Sequence, residues 1–373
     1  MKKPIALLLC ICLIPALPVS ASAVGIPHTG ARAFVLYCPQ NKQVLLSADK
    51  DKRMKPASTT KLMTTLLTLE SARKNDRQVT FTREMTAEGS SMYLKIGERV
   101  RMSDLAAGMM LCSGNDAANA AAIAADGSAE RFALRMNRRA RQIGMKNTHF
   151  VTPSGLDDDD HYSTAYDLAL LMAEGLRSRD FADLTKRRSM TVDFLSPSGK
   201  KVTYTNHNKL LKLYPSCIGG KTGYTTAAGR CLVSAARQNG VTLICVTLDD
   251  RSDWDDHIAL FDYGFSCLAA YQPRGASLTL SVVGGVSDSV RAGCGPSEPI
   301  ALAPAQLRRV KRKIIAEHFV YAPVHKGQRL GSVQYILDGK VLRTDAVTAA
   351  EAVPTETAER GLWQKIKDIF NYG

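Results

Sequence analysis

The sequence predicts an α+β protein. Helices cover an antiparallel sheet in a first, larger domain, a small all-β domain follows, and an amphipathic helix closes the chain. Three observations predict this. Apolar residues recur at helical spacing after Lys61 (Leu62, Met63, Leu66, Leu67, Leu69), and alanines crowd positions 117–125. Short apolar runs come in pairs about turn formers, at 33–46 around Pro39-Gln40-Asn41-Lys42 and at 231–248 around Gln238-Asn239-Gly240, as in hairpins. Near Gln272-Pro273-Arg274-Gly275 the composition shifts toward valine, leucine, glycine and proline.

At 373 residues the chain holds more than one domain, and its 45% hydrophobic and 23% charged residues are those of a globular protein. The net charge of +14 and pI near 9.4 point to anionic surroundings: nucleic acid, a membrane surface or an acidic polymer. Residues 1–23 choose among them. Lys2 and Lys3 precede an apolar core from Ile5 to Leu17, and Ala21-Ser22-Ala23 is an Ala-x-Ala cleavage site, so 1–23 reads as a signal peptide and export excludes nucleic acid. The core is short for a membrane span. Of nine cysteines, cleavage removes Cys10 and Cys12 and leaves seven at irregular spacings, which fit small buried residues better than a disulfide framework.

The elements of the first domain then follow in order. The hairpin at 33–46 leads to Lys50, Lys52, Arg53 and Lys55, and then to the helix that begins near Ser58. Ser103, with Asp104 behind it, is expected to cap a helix that runs through Leu111 and stops near Gly114. Helices follow over 117–125, 131–145 and 167–176. The run Asp157 to Asp160 between the last two reads as a solvated loop. Residues 190–204 alternate about Pro197-Ser198-Gly199-Lys200, a second hairpin, and a closing helix covers 255–265.

Candidate chemistry begins at Ser58. A serine three residues before a lysine on a helix lies within reach of it. A neutral Lys61 could therefore take the Ser58 proton and make a nucleophile. Ser-x-x-Lys occurs four times in the chain, so alone it carries little; surface residues account for the other three. What singles out Ser58 is the chain's only Ser-x-Asn, Ser113-Gly114-Asn115, and its only Lys-Thr-Gly, Lys221-Thr222-Gly223, in that order. There is no His-Glu-x-x-His and no Gly-x-Ser-x-Gly, so neither a zinc peptidase nor a nucleophile elbow is expected, and no metal or cofactor is called for.

With these three motifs, residues 30–268 resemble the serine D-alanyl-D-alanine carboxypeptidases, the low-molecular-mass penicillin-binding proteins. Further matches are Gly89-Ser90-Ser91, Asn115-Asp116-Ala117-Ala118, Asn147-Thr148-x-Phe150, Gly155-Leu156-Asp157, the stretch His161 to Asp167, and Lys221 to Thr225 with Ala228-Gly229 behind it. Class A β-lactamases share the three motifs but carry a glutamate-bearing loop before Lys-Thr-Gly, which is missing here.

The resemblance implies a penicillin-binding catalytic domain over 24–272 acting on peptidoglycan stem peptides that end in D-Ala-D-Ala, and covalent reaction with β-lactam antibiotics. It assigns Ser58 as nucleophile and Lys61 as base. Ser113 relays a proton to the leaving amine, and Asn115 holds Lys61 and the substrate amide. Lys221 and Thr222 face the substrate carboxylate, and Gly223 keeps the strand edge clear. The backbone N–H groups of Ser58 and Tyr224 form the oxyanion hole. Arg251 and His207 are further candidates for charge near the carboxylate, although a structural role is the commoner one for each. To act as base Lys61 must be neutral, which burial and a like charge at Lys221 both favour. A β-lactamase or D,D-endopeptidase on the same fold, or a non-enzymatic cell-wall scaffold, stay open as alternatives.

Residues 273–353 alternate at 278–283, 314–320 and 332–337, and Asp338-Gly339 signals a hairpin. This stretch resembles the C-terminal β-domain of the same family, notably in Ala322-Pro323-Val324-x-Lys326-Gly327. Residues 354–373 read as a linker and a helix. Leu362, Trp363, Ile366, Ile369 and Phe370 fall within about a 120° arc, too short a stretch to span a bilayer but suited to lie in its anionic surface. The expected location is thus the outer face of the cytoplasmic membrane, peripheral through this helix. The competing reading is a helix packed on its own β-domain.

Overall fold

The computed structural model describes residues 25–356. The leader over 1–23 and the C-terminal helix lie outside the described residues.

Five antiparallel strands form the first sheet: β1 (Ala33–Cys38), β2 (Gln43–Ala48), β3 (Cys217–Thr225), β4 (Gly229–Gln238) and β5 (Val241–Leu248), in the order β2-β1-β5-β4-β3. Both faces are covered, so β1 and β5 are buried along their whole length and read as apolar runs instead of an alternation. Against one face lies α8 (Asp253–Cys267), with Leu260 and Phe261 set on Leu36, Leu232 and Leu243. On the other face Val35, Val233 and Val246 point into a core shared with the helices α1 (Lys61–Lys74), α2 (Met102–Leu111), α3 (Asn115–Asp126), α4 (Ala129–Ile143), α5 (Ala165–Arg177) and α6 (Arg179–Thr185), of which α5 and α6 lie on the sheet and α1 to α4 pack around them. A single turn, α7 (Leu210–Leu213), precedes β3. Each large apolar side chain buried here contributes about 1.5–3 kcal/mol.

The expected helices and hairpins form within a few residues of their predicted ends, with three differences. The helix at 102 is not capped by Ser103. Asp104 reaches back to accept from the N–H of Arg101 at 2.9 Å, and the Ser103 hydroxyl bonds Asp76 at 2.7 Å; a carboxylate is the stronger acceptor at a helix N-terminus. α6 had no sequence signal beyond two apolar side chains. The run 314–320 is two strands, broken at Glu317-His318.

The second sheet contains β6 (Ala276–Val283), β7 (Ser289–Cys294), β8 (Lys311–Ala316), β9 (Phe319–Tyr321), β10 (Arg329–Leu337) and β11 (Lys340–Ala349), in the order β8-β10-β11-β7-β6-β9. Its core is apolar, with Val290, Val324, Val333, Tyr335 and Val347 almost fully buried. The two parts are tied together at the β1–β2 turn. Gln40 Nε2 donates to the carbonyls of Gly240 and Pro299, Asn41 Nδ2 donates to that of Ala301, and Ala269–Tyr271 pairs with Ile300–Leu302.

Candidate active site

Ser58 sits on a 3-10 turn, Ala57–Thr60, that runs directly into α1. Three residues per turn bring positions i and i+3 into line, so Lys61 lies under Ser58. Its Nζ lies 2.9 Å from Ser58 Oγ and donates to Asn115 Oδ1 at 2.6 Å and to the Ser154 carbonyl at 2.8 Å, so a neutral amine with both N–H groups used in this way presents its lone pair to the Ser58 hydroxyl. Ala57 has φ +48°, and Ser113 has φ +63°. Non-glycine residues in this region cost on the order of 1–3 kcal/mol each and persist only where the surroundings hold them.

The surroundings do hold them. The 152–157 loop passes so close beneath the turn that a Cβ on Gly155, whose φ is +82°, would lie 2.0 Å from the Ala57 carbonyl oxygen. A Cβ on Gly223 would lie 3.0–3.1 Å from Ser58 N, Ala57 Cβ and the Pro56 carbonyl, so any larger residue there would press β3 and the turn apart by a few tenths of an ångström. His161 is buried beside Thr60. Its Nδ1 accepts from the N–H groups of Val151 and Thr152, which leaves Nε2–H to donate to Thr60 Oγ1 at 2.9 Å. Burial holds this imidazole down to about 4, so it is a neutral strut at ordinary pH.

Ser113 and Asn115 occupy the turn between α2 and α3, where a loop at 88–94 folds over them. The N–H of Asn115 donates to Ser90 O at 2.7 Å, and its Nδ2 donates to Glu88 O at 2.6 Å. Asp116 completes the clamp. Its carboxylate accepts from Ser91 Oγ and from the N–H groups of Met92 and Leu94 at 2.7–3.1 Å, at the positive end of α3. The Nδ2 bond to Glu88 fixes the Asn115 amide so that its oxygen faces Lys61.

Lys221 projects from β3 toward this turn and donates to Ser113 Oγ at 3.0 Å and to the Thr222 carbonyl at 2.8 Å. Both ammonium groups are fully buried. Burial, and then the charge of Lys221, push Lys61 well below the ordinary lysine value, while burial brings Lys221 to about 7. A neutral Lys61 has a lone pair for the Ser58 proton, and Lys221 is shifted by the same burial toward its own neutral form.

A cleft of about 490 Å³ opens over these groups, and Ser58, Ser90, Ser113, Thr222, Gly223 and Tyr224 are among its lining. His207 also lines it, but burial and the Lys221 charge lower its pKa, so it brings no positive charge at pH 7. Arg251 is exposed and does not line the cleft. Arg230 lines it instead. It stands opposite Tyr224 across β3 and β4, with Nη2 on Asp253 Oδ1 at 2.6 Å, its guanidinium 5.8 Å from the Trp254 ring, and a buried Nε that has no partner. Sequence reasoning missed Arg230. Only the strand pairing brings it to the site, and no local motif marks it. Among the described residues no group of His, Cys, Asp and Glu could hold a metal ion.

A family profile for D-alanyl-D-alanine carboxypeptidases matches residues 20–252, and one for the C-terminal domain of penicillin-binding protein 5 matches residues 272–355. The chain is 32% identical over 339 residues to the D-alanyl-D-alanine carboxypeptidase DacF of Bacillus subtilis (strain 168), covering 86% of this chain and 85% of that protein. It is 31% identical over 365 residues to DacC of Escherichia coli (strain K12), covering 92% and 88%. Penicillin-binding protein 5 of Haemophilus influenzae superposes with a TM-score of 0.68 at 29% identity, over 89% of this chain and 99% of that one. A variant of the Streptomyces K15 DD-transpeptidase superposes with a TM-score of 0.62 at 30% identity, over 65% of this chain and all of that one. The chain therefore belongs to the D-alanyl-D-alanine carboxypeptidase family.

Proposed function

We infer that the protein removes the terminal D-alanine from peptidoglycan stem peptides by way of an acyl-enzyme on Ser58. The observation that carries this reading is the buried Lys61, whose Nζ lies 2.9 Å from Ser58 Oγ and whose burial beside Lys221 pushes it well below the ordinary lysine value, toward the neutral form. Ser58 Oγ bonds to the carbonyl carbon of the penultimate D-alanine as its proton passes to Lys61 Nζ. The N–H groups of Ser58 and Tyr224 receive the oxyanion. The C–N bond then breaks, and the proton reaches the departing amine by way of Ser113, which Lys221 orients. Water adds to the acyl carbonyl as its proton passes to Lys61, and Lys61 returns that proton to Ser58 Oγ as the ester C–O bond breaks. The sum is one peptide bond and one water consumed, two products released.

The substrate's carboxylate is read by Lys221, Thr222 and Arg230. Arg230 lines the cleft on a guanidinium held in place by Asp253, which gives it this part in place of Arg251 or His207. Gly223 leaves the β3 edge bare for the substrate backbone. β-Lactams carry an amide and a carboxylate in a similar disposition and enter the same path.

We assign the catalytic domain to 24–272 and the β-domain to 273–353. Among the described residues no helix is long and apolar enough to cross a membrane. The leader-like 1–23 and the amphipathic pattern over 358–373 support export and attachment to the outer face of the cytoplasmic membrane through the tail. The test is incubation with a pentapeptide ending in D-Ala-D-Ala, following D-alanine and any larger fragment. D-alanine release is expected; cleavage at a cross-link alone would replace this reading with an endopeptidase.

A further inference from the structure

We propose that the β-domain itself touches the membrane, through an apolar face at the root of the C-terminal tail. Ile314, Ile315 and Val341 are exposed on β8 and β11, but the larger group is Val283, Val286, Phe319 and Tyr321, which are 48%, 64%, 47% and 68% exposed. Register puts them together. β6 and β9 run parallel with Ser281 opposite Phe319 and Val283 opposite Tyr321, so Phe319, Tyr321 and Val283 share one face, while Val282 turns inward to the core. The two rings meet edge to face at 5.5 Å. Val286 sits in the β6–β7 turn beside them.

The chain's course fixes what this face meets. Residues 353–356 return to the same turn: Val286 N donates to Pro354 O, Gly285 bridges Thr355, and Glu356 N donates to Gly284 O. The tail therefore departs beside the exposed face. Leu362, the first of the tail's apolar arc, lies six positions beyond Glu356, a reach of at most about 20 Å. A tail lying in the headgroup layer brings Tyr321 and Phe319 to that layer as well. Tyrosine there keeps its hydroxyl in the polar region while its ring is buried, the arrangement favoured at bilayer interfaces. The partner is an anionic bilayer surface. The tail supplies the charge with Arg360, Lys365 and Lys367, and the β-domain supplies a rigid apolar contact that sets its tilt.

This inference rests on the tail's attachment to lipid, and the test separates the two. The full chain is mixed with vesicles of phosphatidylglycerol and phosphatidylethanolamine whose acyl chains are brominated. In the native chain, quenching of Trp363 reports the tail. In Trp363→Phe, the remaining Trp254 lines the cleft and stays bright. In Trp363→Phe/Tyr321→Trp, new emission should be quenched to a degree comparable with Trp363. Phe319→Ser/Tyr321→Ser should weaken vesicle affinity about tenfold while leaving penicillin acylation intact, which shows that the variant is folded. Quenching at Trp363 with none at position 321 would overturn the β-domain contact and leave tail attachment standing. No quenching at either position would overturn both. Emission at position 321 already shielded before vesicles are added would assign the face to the tail or to a second copy, and would also overturn the proposal.

Discussion

The cleft of the catalytic domain and the core of the β-domain are built by opposite rules. Around Ser58 the buried side chains include Lys61, Lys221, Asn115, Asp116 and His161, and two non-glycine residues, Ala57 and Ser113, hold positive φ. In the β-domain the buried side chains are apolar apart from Ser332, and the one non-glycine residue with positive φ, Asp338, sits in the Asp338-Gly339 hairpin turn, where that conformation is ordinary. Buried charge and backbone strain each cost stability, so their concentration in one place marks where the fold serves chemistry.

Breaking the polar set should have the largest effects. Ser58→Ala should lower kcat for D-alanine release by at least about 10⁴-fold, as loss of a nucleophile does elsewhere. Lys61→Arg should match it, because guanidinium stays protonated and cannot take the Ser58 proton. Lys221→Arg keeps a charge beside Ser113 and should retain activity within about 100-fold of native. Equal losses in the two lysine variants would break the division of labour between them. Steady-state release of D-alanine measures all three.

Gly155→Ala should come next. The new methyl meets the Ala57 carbonyl in a backbone conformation that alanine disfavours, so the turn must shift. Acylation should slow by about 10²-fold, the penalty of a misplaced nucleophile, while chemical denaturation shows a folded protein. Gly327 also has positive φ, but open space surrounds it, so Gly327→Ala should leave kcat unchanged and sharpen the contrast. Arg230→Gln should act more mildly still, raising KM for the peptide roughly tenfold with little change in kcat, as loss of one carboxylate contact does.

The smallest effect concerns stability. Lys221 has a folded value of about 7 against the ordinary 10.5, so between those values the unfolded chain binds a proton that the folded chain does not. Its burden is absent above 10.5, builds as pH falls, and is complete below about 7. Lys221→Met should therefore raise Tm at pH 7 while abolishing most activity, at about 2–4 °C per kcal/mol relieved. It should also flatten the rise of stability with pH. In kcat/KM, native activity should fall as pH passes upward through about 7 and Lys221 loses its charge, and Lys221→Arg should remove that limb.

Much of the site was legible in the sequence because its parts are local. Ser58 and Lys61 are one turn apart, and Ser113 and Asn115 share one turn between helices. Their meeting with Lys221 could be expected from the family likeness, since a distance across 108 residues of chain leaves no local trace. Arg230 had neither signal. It reaches the cleft by strand pairing with Tyr224, and strand registers are not written in any short motif. Asp116 and His161 lay in segments noted only for likeness; their part is to hold Asn115 and the Ser58 turn through buried hydrogen bonds. The Ser103 cap misled because Asp104 is the better acceptor. In the β-domain the alternation of strands was visible, and the placement of Phe319 and Tyr321 beside the tail's root was not, since it depends on a parallel pairing between β6 and β9.

The central claim is that Ser58, activated by Lys61, is the residue acylated. Benzylpenicillin followed by intact mass and tryptic mapping tests it most directly. A single adduct is predicted on the native chain, in the peptide Met54–Lys61, and none on Ser58→Ala or Lys61→Arg over the same time. An adduct in any other peptide, or one that persists in Ser58→Ala, would contradict the account.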